Sequence, residues 1–292
     1  QTGEPVFPIE ERAVEQGAVP REWYSPTQPF PLKPPPFERQ GFLASDVIDF
    51  TPELKAEALE IVSRYKVGPI YTPPITRGHD GKLGLLYVPN GANWPGGSLD
   101  PDTGILYVYS HTLLRVLSMV NDPKRSDMNY ISAGGASDDG SSGSLSVRGL
   151  PLVKPPWGRI TAIDLNKGEI VWQVAHGDTP DAVKNHPALK GITIPRTGRP
   201  GGAGGSSGGI GTLVTKTLVI SGEGGTVTMP SGQRGAMLRA YDKATGAEQG
   251  AVFMPGAQTG SPMTYMLNGR QYIVVAVSSS TMPGELIAYA LP

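Results

Sequence analysis

Short apolar runs, broken by turn residues, dominate the chain from residue 84 onward. They are GLLYVP at 84–89, ILYVYS at 105–110, GRITAIDL at 158–165, EIVWQV at 169–174 and GTLVTKTLVISG at 211–222. AMLRAYD at 236–242, PMTYML at 262–267, QYIVVAVS at 271–278 and ELIAYAL at 285–291 continue the series. Each is short and rich in β-branched and aromatic residues, the signature of strands. Asp102-Thr103-Gly104, Asn166-Lys167-Gly168, Ala244-Thr245-Gly246 and Leu267-Asn268-Gly269 supply turn chemistry between them. No helical periodicity separates these runs, which argues against a parallel α/β sheet and leaves a sandwich, barrel or propeller.

One helix is predicted upstream. Thr51 can cap its N-terminus, Pro52 suits the first helical position, and Leu54, Ala58, Ile61, Val62 and Tyr65 share one face. Gly68-Pro69 ends it, and its Glu and Lys residues form its solvated face. Before it, Ser25 to Phe37 reads SPTQPFPLKPPPF, which predicts a polyproline II strap on the surface, with Trp23, Tyr24, Phe30 and Phe37 as anchors. Two long polar segments, 121–156 and 176–209, read as rim loops of a β scaffold with Gly/Ser-rich cores.

Composition narrows the function classes. The chain has 292 residues, 39 of them Gly and 29 Pro, with a formal net charge of -1. That balance lacks the basic excess of a nucleic-acid binder. The absence of cysteine excludes disulfides, zinc ribbons, iron–sulfur clusters and thiol catalysis. No apolar run approaches the roughly 18 residues that a membrane-spanning helix needs.

The chain repeats itself. ITAIDLNKGEIVWQV at 160–174 and MLRAYDKATGAEQGAVF at 237–253 share an apolar strand, an Ala-x-Asp step, a Gly turn and a second strand. QTGEPVFP at 1–8 reads as the tail of a third copy, and LIAYALP at 286–292 as the head of a fourth. This pattern resembles the tryptophan-docking motif of quinoprotein propellers, in which an outer-strand Trp packs between neighbouring blades. GANWPGGSLDPDTGILYV at 91–108, PPWGRITAIDLNKGEIVWQVAHGDTP, NHPALKG, GTLVTKTLVISGEGG and PMTYMLNGRQYIVVAV also resemble the glucose-dehydrogenase-like branch of the pyrroloquinoline-quinone (PQQ) dehydrogenases. The likeness covers nearly the whole chain.

The resemblance implies an all-β fold, about half of an eight-bladed propeller. Residues 1–292 would form a single partial domain, with strap and helix over 1–83 and blades over 84–292. It implies PQQ with Ca²⁺, oxidation of a sugar or alcohol, and a periplasmic setting. Some three complete strand sets cannot make eight blades. The chain is therefore expected to be the C-terminal half of a longer dehydrogenase, partnered by an N-terminal half, cleaved or separate. A smaller self-contained propeller and a homodimerising fragment stay open, as does a non-enzymatic propeller scaffold.

The family's catalytic Asp and quinone-contacting Lys lie upstream of the position matching Gln1, so no catalytic residue is assigned. Asn93 and Trp94 are the candidates for a wall of the cofactor chamber, through an amide donor and a flat indole face, with ordinary inter-blade packing the alternative for Trp94. Glu223, in SGEGG, is a third candidate; no metal ligand is assigned. The family pattern carries an Asn near Tyr109 and an Asp near Gly235, and this chain departs from it at both. His111 and His186 read as structural polar contacts. GGSSG at 204–208 matches a G-x-S-x-G nucleophile motif but lacks the required strand–turn–helix setting. Asp100 to Gly104 resembles the opening of a calcium loop, but its twelfth position would be His111, so it reads as a hairpin turn.

Overall fold

A computed structural model describes residues 2–89, 91–133, 145–199 and 210–290. The Gly/Ser cores of both predicted loops, including GGSSG at 204–208, lie outside them. The chain divides into two compact units, residues 1–89 with 113–154, and residues 90–112 with 155–292.

The first unit holds the helix, Pro52–Ser63. Thr51 Oγ1 accepts the Leu54 amide proton at 3.2 Å, as the capping reading requires. Leu54, Ala58 and Val62 are its buried residues. The polyproline strap is corrected: Thr27–Pro31 pairs antiparallel with Ile9–Ala13. Strand donors alternate in direction, and Leu32 N donates to the Pro8 carbonyl at 3.0 Å. Pro29 and Pro31 thus fall on the alternate positions, where a missing N–H costs the ladder nothing. Phe30 is anchored edge-to-face on Tyr71 at 5.4 Å, whereas Trp23 is 81% exposed and anchors nothing.

The reading of 121–156 as a polar rim loop is also corrected. Its described part contains the hairpin Ser146–Val147 and Leu150–Pro151. Val147, Leu150, Leu152 and Val153 are buried, and Ile48 N donates to the Leu152 carbonyl at 2.8 Å. A short apolar cluster behind a Gly/Ser stretch was hidden by the polarity of its neighbours.

The second unit contains three antiparallel sheets. The first orders Gly97–Asp100, Ile105–His111, Gly158–Asp164 and Glu169–Ala175, each beside the next in sequence. The second orders Leu213–Val214, Leu218–Gly222, Arg234–Asp242 and Glu248–Met254. In the third, Ala257–Gln258 and Met263–Leu267 pair with Arg270–Ser279, whose other side pairs with Met282–Ala290. The run 211–222, expected as one strand, is a hairpin. Thr215 N donates to the Leu218 carbonyl at 2.8 Å and Thr215 Oγ1 accepts from Leu218 N at 3.1 Å. Its β-branched turn residues share the composition of the strands they join.

The predicted turns form, and for a local reason. Asp164 Oδ1 accepts the amides of Asn166 and Lys167, and Asp242 Oδ1 accepts those of Ala244 and Thr245. Asp100 Oδ2 accepts from Thr103 Oγ1 at 2.6 Å, confirming that segment as a hairpin turn. Both repeats carry the same bulge, between Ala162 and Ile163 and between Ala240 and Tyr241.

Side chains fill the space between sheets. Tyr107, Tyr109, Ile160, Ala162 and Trp172 meet Val219 and Tyr241 of the second sheet. Trp172 donates through Nε1 to the Lys243 carbonyl at 3.0 Å and lies on the next repeat's turn, where a Cβ on Gly246 would come within 2.8 Å of the indole. This is the docking role the repeat implied for it. Between the second and third sheets the core is aliphatic, with Ile220, Leu238 and Met254 against Ile273, Val275 and Val277.

Candidate functional site

The Asp-capped turns close one end of the sheets. The strand register puts the 91–96 loop, His111, His176 and Glu223 at the other end. The 91–96 loop is a tight turn: Gly96 N donates to the Asn93 carbonyl at 2.8 Å, and Asn93 Oδ1 accepts Trp94 N at 2.8 Å. His111 N donates to the Gly91 carbonyl at 3.2 Å, and Ser261 Oγ to the Pro95 carbonyl at 3.4 Å. The loop is therefore tied to the first sheet and to the entry of the third. Asn93 is exposed and Trp94 is 96% exposed, so the indole stands clear of the described residues.

Glu223 has a different setting. It is fully buried at the end of Leu218–Gly222. Its Oε1 accepts from Arg239 Nε at 2.7 Å and from Asp178 N at 3.2 Å. Arg239 also reaches Asp178 at 3.0 Å and Glu248 at 2.9 Å, and Arg196 bridges to Glu248 at 2.6 Å. Burial works against the Arg239 charge, but Glu223, Asp178 and Glu248 together raise its pKa above the usual guanidinium value. Burial likewise opposes ionisation of Asp178, yet Arg239, Lys184 and Arg196 hold it below the usual carboxylate range. Removing one partner from such a cluster leaves an uncompensated buried charge, which typically costs about 3–5 kcal/mol.

The segment after the first sheet supplies two of the five charges of this cluster, Asp178 and Arg196, so the description of 176–209 as a rim loop is corrected. Its described part contains the helical turn Asp181–Lys184 and buries Val183, Leu189, Thr197 and Arg199. His186 Nδ1 accepts the Ala188 amide at 3.2 Å, a local cap.

His176 is the polar pin of the first interface. Its Nε2 lies 3.0 Å from the Gly222 carbonyl and its Nδ1 2.8 Å from Tyr241 Oη. The carbonyl can only accept, so Nε2 carries the proton and Nδ1 accepts from the tyrosine. Burial pushes the imidazole down to about 4, so it is neutral at pH 7. Burial raises the Tyr241 hydroxyl above its ordinary value.

Two buried groups at this end keep capacity in reserve. Glu223 Oε2 and Arg199 Nε and Nη2 have no hydrogen-bond partner among the described residues, although Arg199 Nη1 donates to the Thr226 carbonyl at 2.6 Å. Burial lowers the pKa of Arg199. Among the described residues, no three His, Asp or Glu side chains gather closely enough to hold a metal ion.

Tyr109 and Gly235, the two positions at which a departure from the resembled pattern is expected, have different settings. Tyr109 is buried, its hydroxyl donates to the Arg199 carbonyl at 3.0 Å, and its ring meets His176 edge-on at 5.6 Å. At Gly235, a Cβ would lie 2.2 Å from the Phe253 ring and 2.5 Å from the Met254 carbonyl. No acid fits there without moving the neighbouring strand. Sequence reasoning missed Arg199, Arg239 and His176. The available signal was Arg239, a charge inside the apolar run AMLRAYD, which a buried strand tolerates only opposite carboxylates.

Comparisons with known proteins agree with the repeat. Residues 1–273 match the family described as PQQ: glucose/ethanol/alcohol dehydrogenase, β-propeller domain. The chain is 28% identical to quinoprotein glucose dehydrogenase A of Acinetobacter calcoaceticus, over 100% of this chain and 36% of that one. It is 27% identical to a probable quinate dehydrogenase (quinone) of Xanthomonas campestris pv. juglandis, over 100% and 37%. It is also 27% identical to the glycerol dehydrogenase large subunit of Gluconobacter thailandicus, over 100% and 40%. The chain thus spans well under half the length of these curated relatives. A crystal structure of quinohemoprotein alcohol dehydrogenase from Comamonas testosteroni aligns with a TM-score of 0.41 at 20% identity, covering 68% of this chain and 26% of that one.

Proposed function

Because the chain belongs to the PQQ-dependent glucose/ethanol/alcohol dehydrogenase β-propeller family, we propose that it is part of a quinoprotein dehydrogenase oxidising a sugar or alcohol. On this reading, residues 1–292 form one partial propeller domain, the C-terminal part of the enzyme. An N-terminal half, cleaved or separate, completes the fold and carries the catalytic groups. The observation that carries the reading is Trp94, a rigid indole 96% exposed on a loop that is otherwise hydrogen-bonded in place.

The residues fit a wall of a cofactor site. PQQ is a flat, anionic ring system, and Trp94 supplies a stacking face beside the Asn93 amide. Arg199 Nε and Nη2, at the same end of the sheets, have no hydrogen-bond partner among the described residues. Glu223 Oε1 is held by Arg239, which fixes the carboxylate at that end, while its Oε2 has no partner among the described residues and stays a candidate for the cofactor wall. When bound, PQQ supplies the electron sink for a hydride leaving a hydroxyl-bearing carbon. This chain's part is to orient the ring and to exclude water from one side. Ca²⁺ remains part of the proposal, with no ligand assigned in this chain. So does a periplasmic setting; no helix among the described residues is long and apolar enough to cross a membrane.

The test is co-expression with the upstream part, addition of PQQ and Ca²⁺, and a dye-linked dehydrogenase assay over a panel of sugars and alcohols. Activity that falls at least 10-fold in Trp94→Ala supports the reading, and a verified complete assembly without activity overturns it. A second reading, a non-enzymatic propeller scaffold, is favoured by the crowding at Gly235. A folded assembly that binds no PQQ would select it.

A further inference from the structure

The segment that leaves the first sheet closes on itself. Arg199 N donates to the His176 carbonyl at 2.9 Å, and Thr197 N to Thr179 Oγ1 at 3.3 Å. Both sides of this neck are tied to the start of the strand Gly158–Asp164. His176 N donates to the Gly158 carbonyl at 2.9 Å, and Trp157 N to the Thr197 carbonyl at 2.7 Å. A glycine stands on each side of the neck, Gly177 with φ 88° and Gly198 with φ 64°, a region that glycine enters without strain. Beyond the neck the backbone bonds only to itself. Among the described residues, every backbone–backbone hydrogen bond of 180–196 stays inside that stretch, from Val183 N to the Pro180 carbonyl through to Ile192 N to the Leu189 carbonyl.

Side chains carry this segment onto the second sheet. Asp178 meets Arg239 at 3.0 Å, Arg196 meets Glu248 at 2.6 Å, and Asp181 Oδ2 accepts from Thr228 N at 3.0 Å. Val183 and Leu189 are buried, but neither belongs to the apolar clusters between the sheets. Each half of the charged contact is paired without the other. On the sheet, Arg239 keeps Glu223 at 2.6 Å and Glu248 at 2.9 Å; on the segment, Asp178 keeps Arg196 at 3.4 Å. Separating the halves therefore strands no lone charge, which is the main cost of breaking a buried pair. A stretch with its own local bonds and few ties to the core can open while the sheets stay folded.

We propose that residues 178–196 form a lid over Glu223, hinged at Gly177 and Gly198 and latched to the second sheet through Asp178 and Arg196. Opening withdraws the Asp178 amide from Glu223 Oε1 and admits water to a carboxylate that is fully buried when the lid is closed. Backbone change absorbed at a few residues on either side of a moving segment is the usual construction of such lids. The lid lies at the end of the sheets that holds the candidate site, but it does not depend on the quinone reading.

The chain has no cysteine, so spin labels can be placed at single chosen sites. Lys190→Cys on the lid and Lys216→Cys in the hairpin turn of the second sheet, both exposed, give a distance readable by pulsed electron resonance in the full 292-residue chain. Asp178→Asn should raise the ratio of open to closed distances at least 10-fold, with the β signal in circular dichroism unchanged. Arg196→Gln, at a partly exposed side chain, should raise it at least 3-fold. A folded Asp178→Asn variant with the distance distribution of the parent overturns the proposal. Should Asp178→Asn lose its β signal, Arg196→Gln decides alone, and an unchanged distribution there overturns it. Loss of the β signal in both variants also overturns it, because the charges would then hold the sheets together and not a lid.

Discussion

The two inter-sheet interfaces of the second unit are built on one backbone plan and filled in opposite ways. At the first, Trp172 docks on the turn at Gly246, and His176 links Tyr241 to the Gly222 carbonyl. At the second, the register positions of Trp172 and His176 are taken by Gly250 and Met254. Tyr289 stands where Tyr241 stood, but its hydroxyl donates to the Phe253 carbonyl at 2.7 Å instead of to a histidine. Turn chemistry and the shared bulge repeat faithfully, while the side chains that lock sheet to sheet do not. One interface carries a specific polar and aromatic lock, and the other an aliphatic core beneath an open surface groove.

The largest test of this contrast removes the lock. Trp172→Ala should destabilise the chain by about 3–5 kcal/mol, the usual cost of deleting a buried aromatic side chain, measured by urea denaturation. A cost below about 1 kcal/mol would mean that the two interfaces hold equally well without an indole.

Acid should loosen the first interface selectively. The unfolded imidazole titrates near 6.5 and the folded one only at about 4, so the unfolded state binds the extra proton first. Stability contributed by neutral His176 is complete above pH 6.5 and is lost as pH falls toward 4, by about 3 kcal/mol. A His176→Gln variant should show a flatter slope of stability against pH in that window. An unchanged slope would place the acid sensitivity elsewhere.

The smallest test compares the two tyrosines. Tyr241→Phe leaves buried His176 Nδ1 without a donor and should cost about 1–3 kcal/mol. Tyr289→Phe removes the hydrogen bond to the Phe253 carbonyl and should cost about 0.5–1.5 kcal/mol. Equal losses would erase the distinction between a polar pin and an ordinary contact.

What was legible in the chain follows from range. The strand runs, the Asp-capped turns, the helix cap at Thr51 and the docking role of Trp172 all rest on contacts within a few residues or on a repeated motif. The misread segments share the opposite property. Val147 and Leu150 sit in polar surroundings, and only packing against distant segments makes them core. Pro29 and Pro31 read as polyproline until a partner strand aligned their imide nitrogens outward.

For this protein the sequence by itself determined the repeat, the turns and the family, because side-chain oxygens cap their own backbone and strand periodicity needs no distant partner. It could not place Glu223, whose carboxylate is claimed by Arg239 across a strand pair and by a backbone amide from the preceding sheet's exit. Nor could it tell that two glycines mean opposite things. Gly235 has no room for a side chain, and a Cβ on Gly250 would meet no atom within 4 Å. The residue is the same at both positions; only the tertiary structure sets Phe253 and the Met254 carbonyl of the neighbouring strand against one and leaves the other open.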